Sequence, residues 1–177
     1  MSRSLLKQSS RHLPPCLIFD VVPRMSTSFK QLNIGWNAEP NAPEPKARWD
    51  GEDLHLSFRP GFYEPDKIVE IVTGITFLQC SRFRFGSVND EGWYRGRCRF
   101  GREARSWGEF YEVSGDLHLD QVLGDWNSRA DPTPGSKHYL FYFRDEEFEC
   151  DAEGWRLTSK PAEQDGGGQP ATRPESK

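Results

Sequence analysis

The chain of 177 residues has only 2 Met, and hydrophobic residues make up just 35 % of it. No stretch approaches the ~18 consecutive apolar residues of a membrane-spanning helix, so no membrane partner is expected. The 4 cysteines, Cys16, Cys80, Cys98 and Cys150, form no C-x-x-C pair, and no His stands at zinc-finger spacing from them. G-x-S-x-G, the P-loop, G-x-G-x-x-G and H-E-x-x-H are all missing. Each of these motifs would place a nucleophile, a phosphate cradle or a metal, so no reaction and no cofactor is indicated. A strong excess of one charge sign is absent too. The formal net charge of −4 argues against a dedicated nucleic-acid binder.

What is present is aromatic. Of 12 Phe, 6 Trp and 5 Tyr, all but Phe19 and Phe29 lie between residues 31 and 157. The two ends have another character. Residues 161–177 carry no aromatic and no large aliphatic side chain, so they cannot bury enough apolar surface to offset chain entropy and are expected to be a disordered tail. Near the start, the apolar run from Cys16 is broken by Asp20 and leads to no A-x-A site, whereas a secretory segment needs about 7–15 uninterrupted apolar residues. A cytoplasmic location with reduced thiols is therefore expected, with a Cys98–Cys150 disulfide as the alternative. Met25 offers a second start, so residues 1–25 read as a disordered or mis-called extension and 26–160 as one β-rich domain.

Within that span the pattern has period two. Leu32, Ile34 and Trp36 alternate, then Leu54, Leu56 and Phe58, then a longer run from Ile71 to Phe85. Further runs cover Trp93–Phe100, Trp107–Val113, His138–Arg144 and Glu147–Ala152, bounded by Gly, Pro, Asn and Asp. Such punctuation is that of strands joined by hairpins. The expected fold is mainly β, an antiparallel sheet forming a sandwich or open barrel with at most one or two short helices. The helical candidates are Glu64–Val72 and Asp116–Trp126. Pro40, Pro43 and Pro45 mark an extended arm between the first two strands.

The segment 81–100, SRFRFGSVNDEGWYRGRCRF, reads as an arginine hairpin turning at Asn89-Asp90-Glu91-Gly92. The register that keeps Phe83 and Phe85 with Tyr94, Cys98 and Phe100 places Arg82, Arg84, Arg95, Arg97 and Arg99 together on the other face. Residues 82–105 hold 7 Arg against 3 carboxylates, net +4, whereas residues 109–153 hold 12 carboxylates against 3 cations, net −9. The plainest reading is that the acidic half pairs with the arginines inside the molecule. The functional reading is a protein partner engaged through Arg82, Arg84, Arg95, Arg97, Arg99 and Trp93. Single-stranded nucleic acid is a weaker alternative, because the rings face away from the arginines.

Glu109 and Glu112 have opposite parity in WGEFYEV. One of them is expected to join the arginine face, while the other points inward among rings, where it must be paired or neutral. That inward carboxylate and the aromatic residues support a second reading, an enzyme or small-ligand-binding domain with an aromatic and carboxylate-lined pocket. His55 with His118-Leu-Asp120 is too common a spacing to count as a metal site.

The strings WNAEPNAP (Trp36 to Pro43), NDEGWYRGRCRF (Asn89 to Phe100), WGEFYEV (Trp107 to Val113) and HYLFYFRDEEFEC (His138 to Cys150) resemble a group of small uncharacterised bacterial proteins. The resemblance covers about residues 30–157, the span of one domain. It implies no activity, catalytic residue or cofactor. By size, acidity and β content the chain is also analogous to immunity proteins, which act by binding. The expectation from sequence is thus a binding protein that engages another protein through a charge-segregated β surface.

Overall fold

The computed structural model describes residues 26–61, 70–101, 103–115, 117 and 125–161. The expected extension at 1–25, all but the first residue of the expected tail, and most of both helical candidates lie outside these residues. Residues 70–72 of the first candidate belong to a strand.

The fold is mainly β; among the described residues there are two antiparallel sheets, one short helix and no closed barrel. The strands are β1 (Ser28–Gln31), β2 (Lys46–Asp50), β3 (Asp53–Ser57), β4 (Glu70–Leu78), β5 (Arg82–Gly86), β6 (Phe110–Ser114), β7 (Asn127–Ser128), β8 (Lys137–Tyr142), β9 (Glu147–Ala152) and β10 (Gly154–Pro161). One sheet has the order β1-β6-β8-β9-β5-β7 and the other β10-β4-β3-β2. Alternation drives the packing between them. Leu54 and Leu56 of β3 and Ile75 and Phe77 of β4 meet Phe83, Phe110, Phe141, Phe148 and Cys150 of the larger sheet in one core. Phe77 sits at its centre, with ring centroids 5.4 Å from Phe148, 5.5 Å from Tyr139 and 6.0 Å from Phe110. Burying each such ring stabilises the fold by about 2–3 kcal/mol.

The larger sheet is covered on its second face as well. Tyr111, Val113, Leu140 and Tyr142 point away from the inter-sheet core and are buried beneath Cys98, Phe100, Ala104, Trp93 and Trp107. These covering residues lie on α1 (Asp90–Tyr94) and the turns that follow it. Consequently β9 is buried along its whole length.

This corrects the arginine hairpin. Trp93–Phe100 is not a strand, because Asn89 starts a helix instead of closing a hairpin loop. Its side chain accepts a hydrogen bond from Gly92 N–H at 3.0 Å, and Asp90 and Glu91 occupy the first turn, where the helix dipole favours acids. Beyond α1 the chain turns at Gly96 (φ 66°) and Phe100 (φ 61°), positions that no extended strand can contain. Strand β5 pairs with β9 and β7. The alternation at Leu32–Trp36 likewise gives no strand; Ile34 is 76 % exposed and the chain turns at Gly35 (φ 78°). The Cys98–Cys150 alternative is also excluded. Cys150 faces the inter-sheet core and Cys98 the covering layer on the opposite side, and both thiols are free.

Candidate functional site

The register of the larger sheet builds one polar row after another on its covered face. Paired residues across antiparallel strands share a face, so Arg82, Asp151 and His138 form one row. Arg84, Glu149 and Leu140 form the next, and Gly86, Glu147 and Tyr142 the third. Three carboxylates of β9 thus stand between arginines on β5 and a histidine on β8.

Each charged side chain there meets at least one of opposite sign. Arg82 Nε donates to Asp151 Oδ2, and Arg84 Nη2 donates to Glu149 Oε1 and, at 3.1 Å, to Glu147 Oε1. Arg99 arrives from the turn after α1 and donates to Glu149 Oε2. The His138 ring bonds both acids, Nδ1 to Asp151 at 2.8 Å and Nε2 to Glu149 at 2.7 Å. Both ring nitrogens must therefore carry protons, since a carboxylate can only accept. Burial opposes that charge, but the bonds to Asp151 and Glu149 outweigh it and raise the His138 pKa. Burial also works against ionised Glu149 and Asp151. The bond and charge of His138, aided by Arg99 and Arg84 for Glu149 and by Arg82 for Asp151, more than offset it and hold both acids low. Trp126 caps the cluster, with the Arg82 guanidinium 4.2 Å from its ring centroid.

Glu147 behaves differently. Burial and the neighbouring Glu149 push its pKa up to about 7, against the pull of Arg84 and Arg99. Its Oε2 and the Nε of Arg84 are buried and make no hydrogen bond. Gly86, directly opposite in the register, provides the room it occupies, since a Cβ there would collide with the Glu147 carboxylate.

Beside these two side chains opens a cavity of about 520 Å³. Arg84, Arg99 and Glu147 line it together with Phe85, Phe100 and Val88, and exposed Arg97 and Asp125 also contribute. A second cavity, of about 380 Å³, runs from Asn37 to Trp107 and Arg144. Its polar groups are already used. Asn37 bonds Gly108 O and Ala38 N–H, and Glu39 accepts from Asn41 N–H and Ala42 N–H.

Of the residues singled out from sequence, the structure brings Arg82, Arg84 and Arg99 together against the β9 carboxylates, Arg84 and Arg99 buried and Arg82 half-buried. Arg95 is exposed and pairs with Glu91 one helical turn away at 3.3 Å. Trp93 is half-buried in the covering layer. Neither Glu109 nor Glu112 is placed to join the arginines, because β8 and β9 separate β6 from β5. Glu109 accepts from Gln31 at 2.9 Å and Asn33 at 2.6 Å. Glu112, on the parity of Phe110, is half-buried and pairs with the exposed Lys137 at 3.1 Å. His55 is held by Thr76 and Asp50, and His118 and Asp120 lie outside the described residues. Glu147, Glu149, Asp151 and His138 complete the cluster without being singled out by the sequence. Their one signal was the alternation of acids with Phe148 and Cys150 in EFECDA.

Compared with known proteins, the chain matches no family model, no curated protein and no solved structure.

Proposed function

We propose that this protein is a small-molecule-binding domain and that the cavity between β5, β9 and the turn after α1 is its binding site. One observation carries the reading. The buried charged side chains of Arg84, Arg99 and Glu147 line the cavity beside Phe85, Phe100 and Val88. The volume falls in the ~300–1,000 Å³ range of ligand sites, and a few polar groups among aromatic walls are what such sites use for orientation.

The charge-segregated docking surface has less support. Docking needs arginines free to meet a partner, and Arg82, Arg84 and Arg99 are engaged by β9 carboxylates. Nucleic-acid binding has less still, since stacking needs exposed rings and Phe83 and Phe100 are buried.

A fragment screen followed by protein-observed NMR tests the cavity. The expected result is shifts of the Phe85, Val88, Arg97 and Phe100 amides on titration with hits. Ser87, an exposed lining residue, is a suitable place to block it: Ser87→Trp should abolish those shifts while the melting temperature stays within about 2 °C. A screen in which no fragment moves these amides contradicts the proposal.

A further inference from the structure

We propose that the ligand is a free α-amino acid with an apolar side chain, its carboxylate held by Arg97 and its ammonium group by Asp125. The inference rests on the cavity being the binding site and deepens that reading.

The charges that line the cavity fall into two sets. The buried ones are engaged within the protein, Arg84 with Glu147 and Glu149, and Arg99 with Glu149. The exposed ones, at the mouth, are not. The Arg97 guanidinium and the Asp125 carboxylate make no hydrogen bond or ion pair with any described residue, each other included. Both stand on anchored backbone. Arg97 N–H donates to Gly92 O at 2.8 Å, which fixes the turn after α1. Asp125 precedes Trp126, whose ring lies against Arg82, and then β7, which pairs with β5. One free cation and one free acid thus flank the mouth of a single cavity.

Complementarity selects the ligand. A simple anion on Arg97 would meet the like charge of Asp125, and a simple cation on Asp125 would meet that of Arg97. A zwitterion satisfies both, each through a charge-assisted hydrogen bond. An α-amino acid carries its two charges at one end, as the cavity carries its two free charges at one mouth. The side chain then points inward, where Phe85, Phe100 and Val88 form apolar walls. A polar side chain would lose its hydration against those walls, and the buried charges beside them already have partners. An apolar side chain fits, and the volume of about 520 Å³ is ample for a molecule of this size.

The test is a titration with L-phenylalanine, read from the Phe85, Val88, Arg97 and Phe100 amides by NMR. It is run beside 3-phenylpropionate, which lacks the ammonium group, 2-phenylethylamine, which lacks the carboxylate, and L-serine, which keeps both charges on a polar side chain. L-Phenylalanine should bind about 10-fold more tightly than each of the three, the lower end of what one charge-assisted hydrogen bond brings. Asp125→Asn should weaken L-phenylalanine about 10-fold without weakening 3-phenylpropionate. Arg97→Gln should do the same without weakening 2-phenylethylamine. Both side chains are exposed, so the melting temperatures of the two variants should stay within about 2 °C of the wild type. If L-phenylalanine binds no more tightly than any one of the three analogues, or if either variant binds it as the wild type does, the inference is overturned and the cavity reading stands. The same holds if L-phenylalanine fails to bind while other fragments occupy the cavity. A cavity that no fragment occupies refutes the underlying reading instead.

Discussion

Glu149→Gln is the perturbation that the buried cluster answers most sharply. Glu149 is fully buried, and its two oxygens are shared among Arg84, Arg99 and His138. The amide keeps the size but loses the charge, so two guanidinium groups and an imidazolium are left facing a neutral acceptor. Breaking a buried ion pair from one side costs about 3–5 kcal/mol. For a domain of this size 1 kcal/mol moves the melting temperature by about 3–5 °C, so the expected drop is about 10–25 °C. Arg95→Ala is the control, since its pair with Glu91 leaves 59 % and 69 % of the two side chains exposed. Exposed pairs of this kind contribute about 0.3–0.5 kcal/mol, a shift below about 3 °C. Differential scanning fluorimetry at about pH 6, confirmed by urea denaturation, separates the two. If Glu149→Gln melts within about 3 °C of the wild type, the arginines are not engaged by β9 and the account of the cluster is wrong.

Stability should peak on the acid side of neutrality. Glu149 and Asp151 have folded pKa values below their ordinary 4.5 and 3.8, so what they contribute is present above those values and lost as pH falls through the folded ones. Glu147 and His138 are shifted the other way, from 4.5 to about 7 and upward from 6.5, so their contribution is present in acid and lost as pH rises. Urea midpoints should therefore be highest near about pH 4.5–5, with a shallower decline between about pH 4.5 and 7 in Glu147→Gln; a maximum above pH 7.5 contradicts the assigned shifts. Gly74→Ala should destabilise by about 1–3 kcal/mol in urea melts. Its Cβ would collide with the Leu56 carbonyl of the paired strand β3, which is backbone and cannot swing aside. No loss of stability there would show that β3 and β4 pair less closely than described.

The sheet-forming alternation is readable at β3, β4, β5 and β8, each of which places Phe, Leu, Ile or Tyr on the inter-sheet side at every second residue, and at β6 and β9, where Phe110 and Phe148 start it. β10 was missed because it is an edge strand, largely exposed, whose sequence GWRLTSKP shows no buried face. β2 was masked by the prolines before it, and β7 is only two residues long. The arginine segment shows the limit of local pattern. RGRCRF alternates as a strand would, yet Asn89-Asp90-Glu91 is equally a helix start. The requirement to cover Tyr111, Leu140 and Tyr142 lies in distant strands and selects the helix. The plain reading, that acids and arginines pair within the molecule, was right in kind, but the partners came from β9 and not from β6. Acids alternating with Phe148 and Cys150 look like a solvent face until a third layer buries them. The cavity had no sequence signal of its own, because it lies between residues as distant as Arg84, Arg99 and Glu147.

The most direct test of the central claim, that the arginines and the β9 carboxylates form one internal cluster beside the cavity, is the protonation state of His138. Long-range ¹H–¹⁵N correlation of its imidazole, followed from about pH 5 to pH 8, reads both ring nitrogens at once. The account predicts that Nδ1 and Nε2, bonded to Asp151 and Glu149, both stay protonated to well above pH 6.5. A ring that becomes a neutral tautomer at or below pH 6.5 would contradict it.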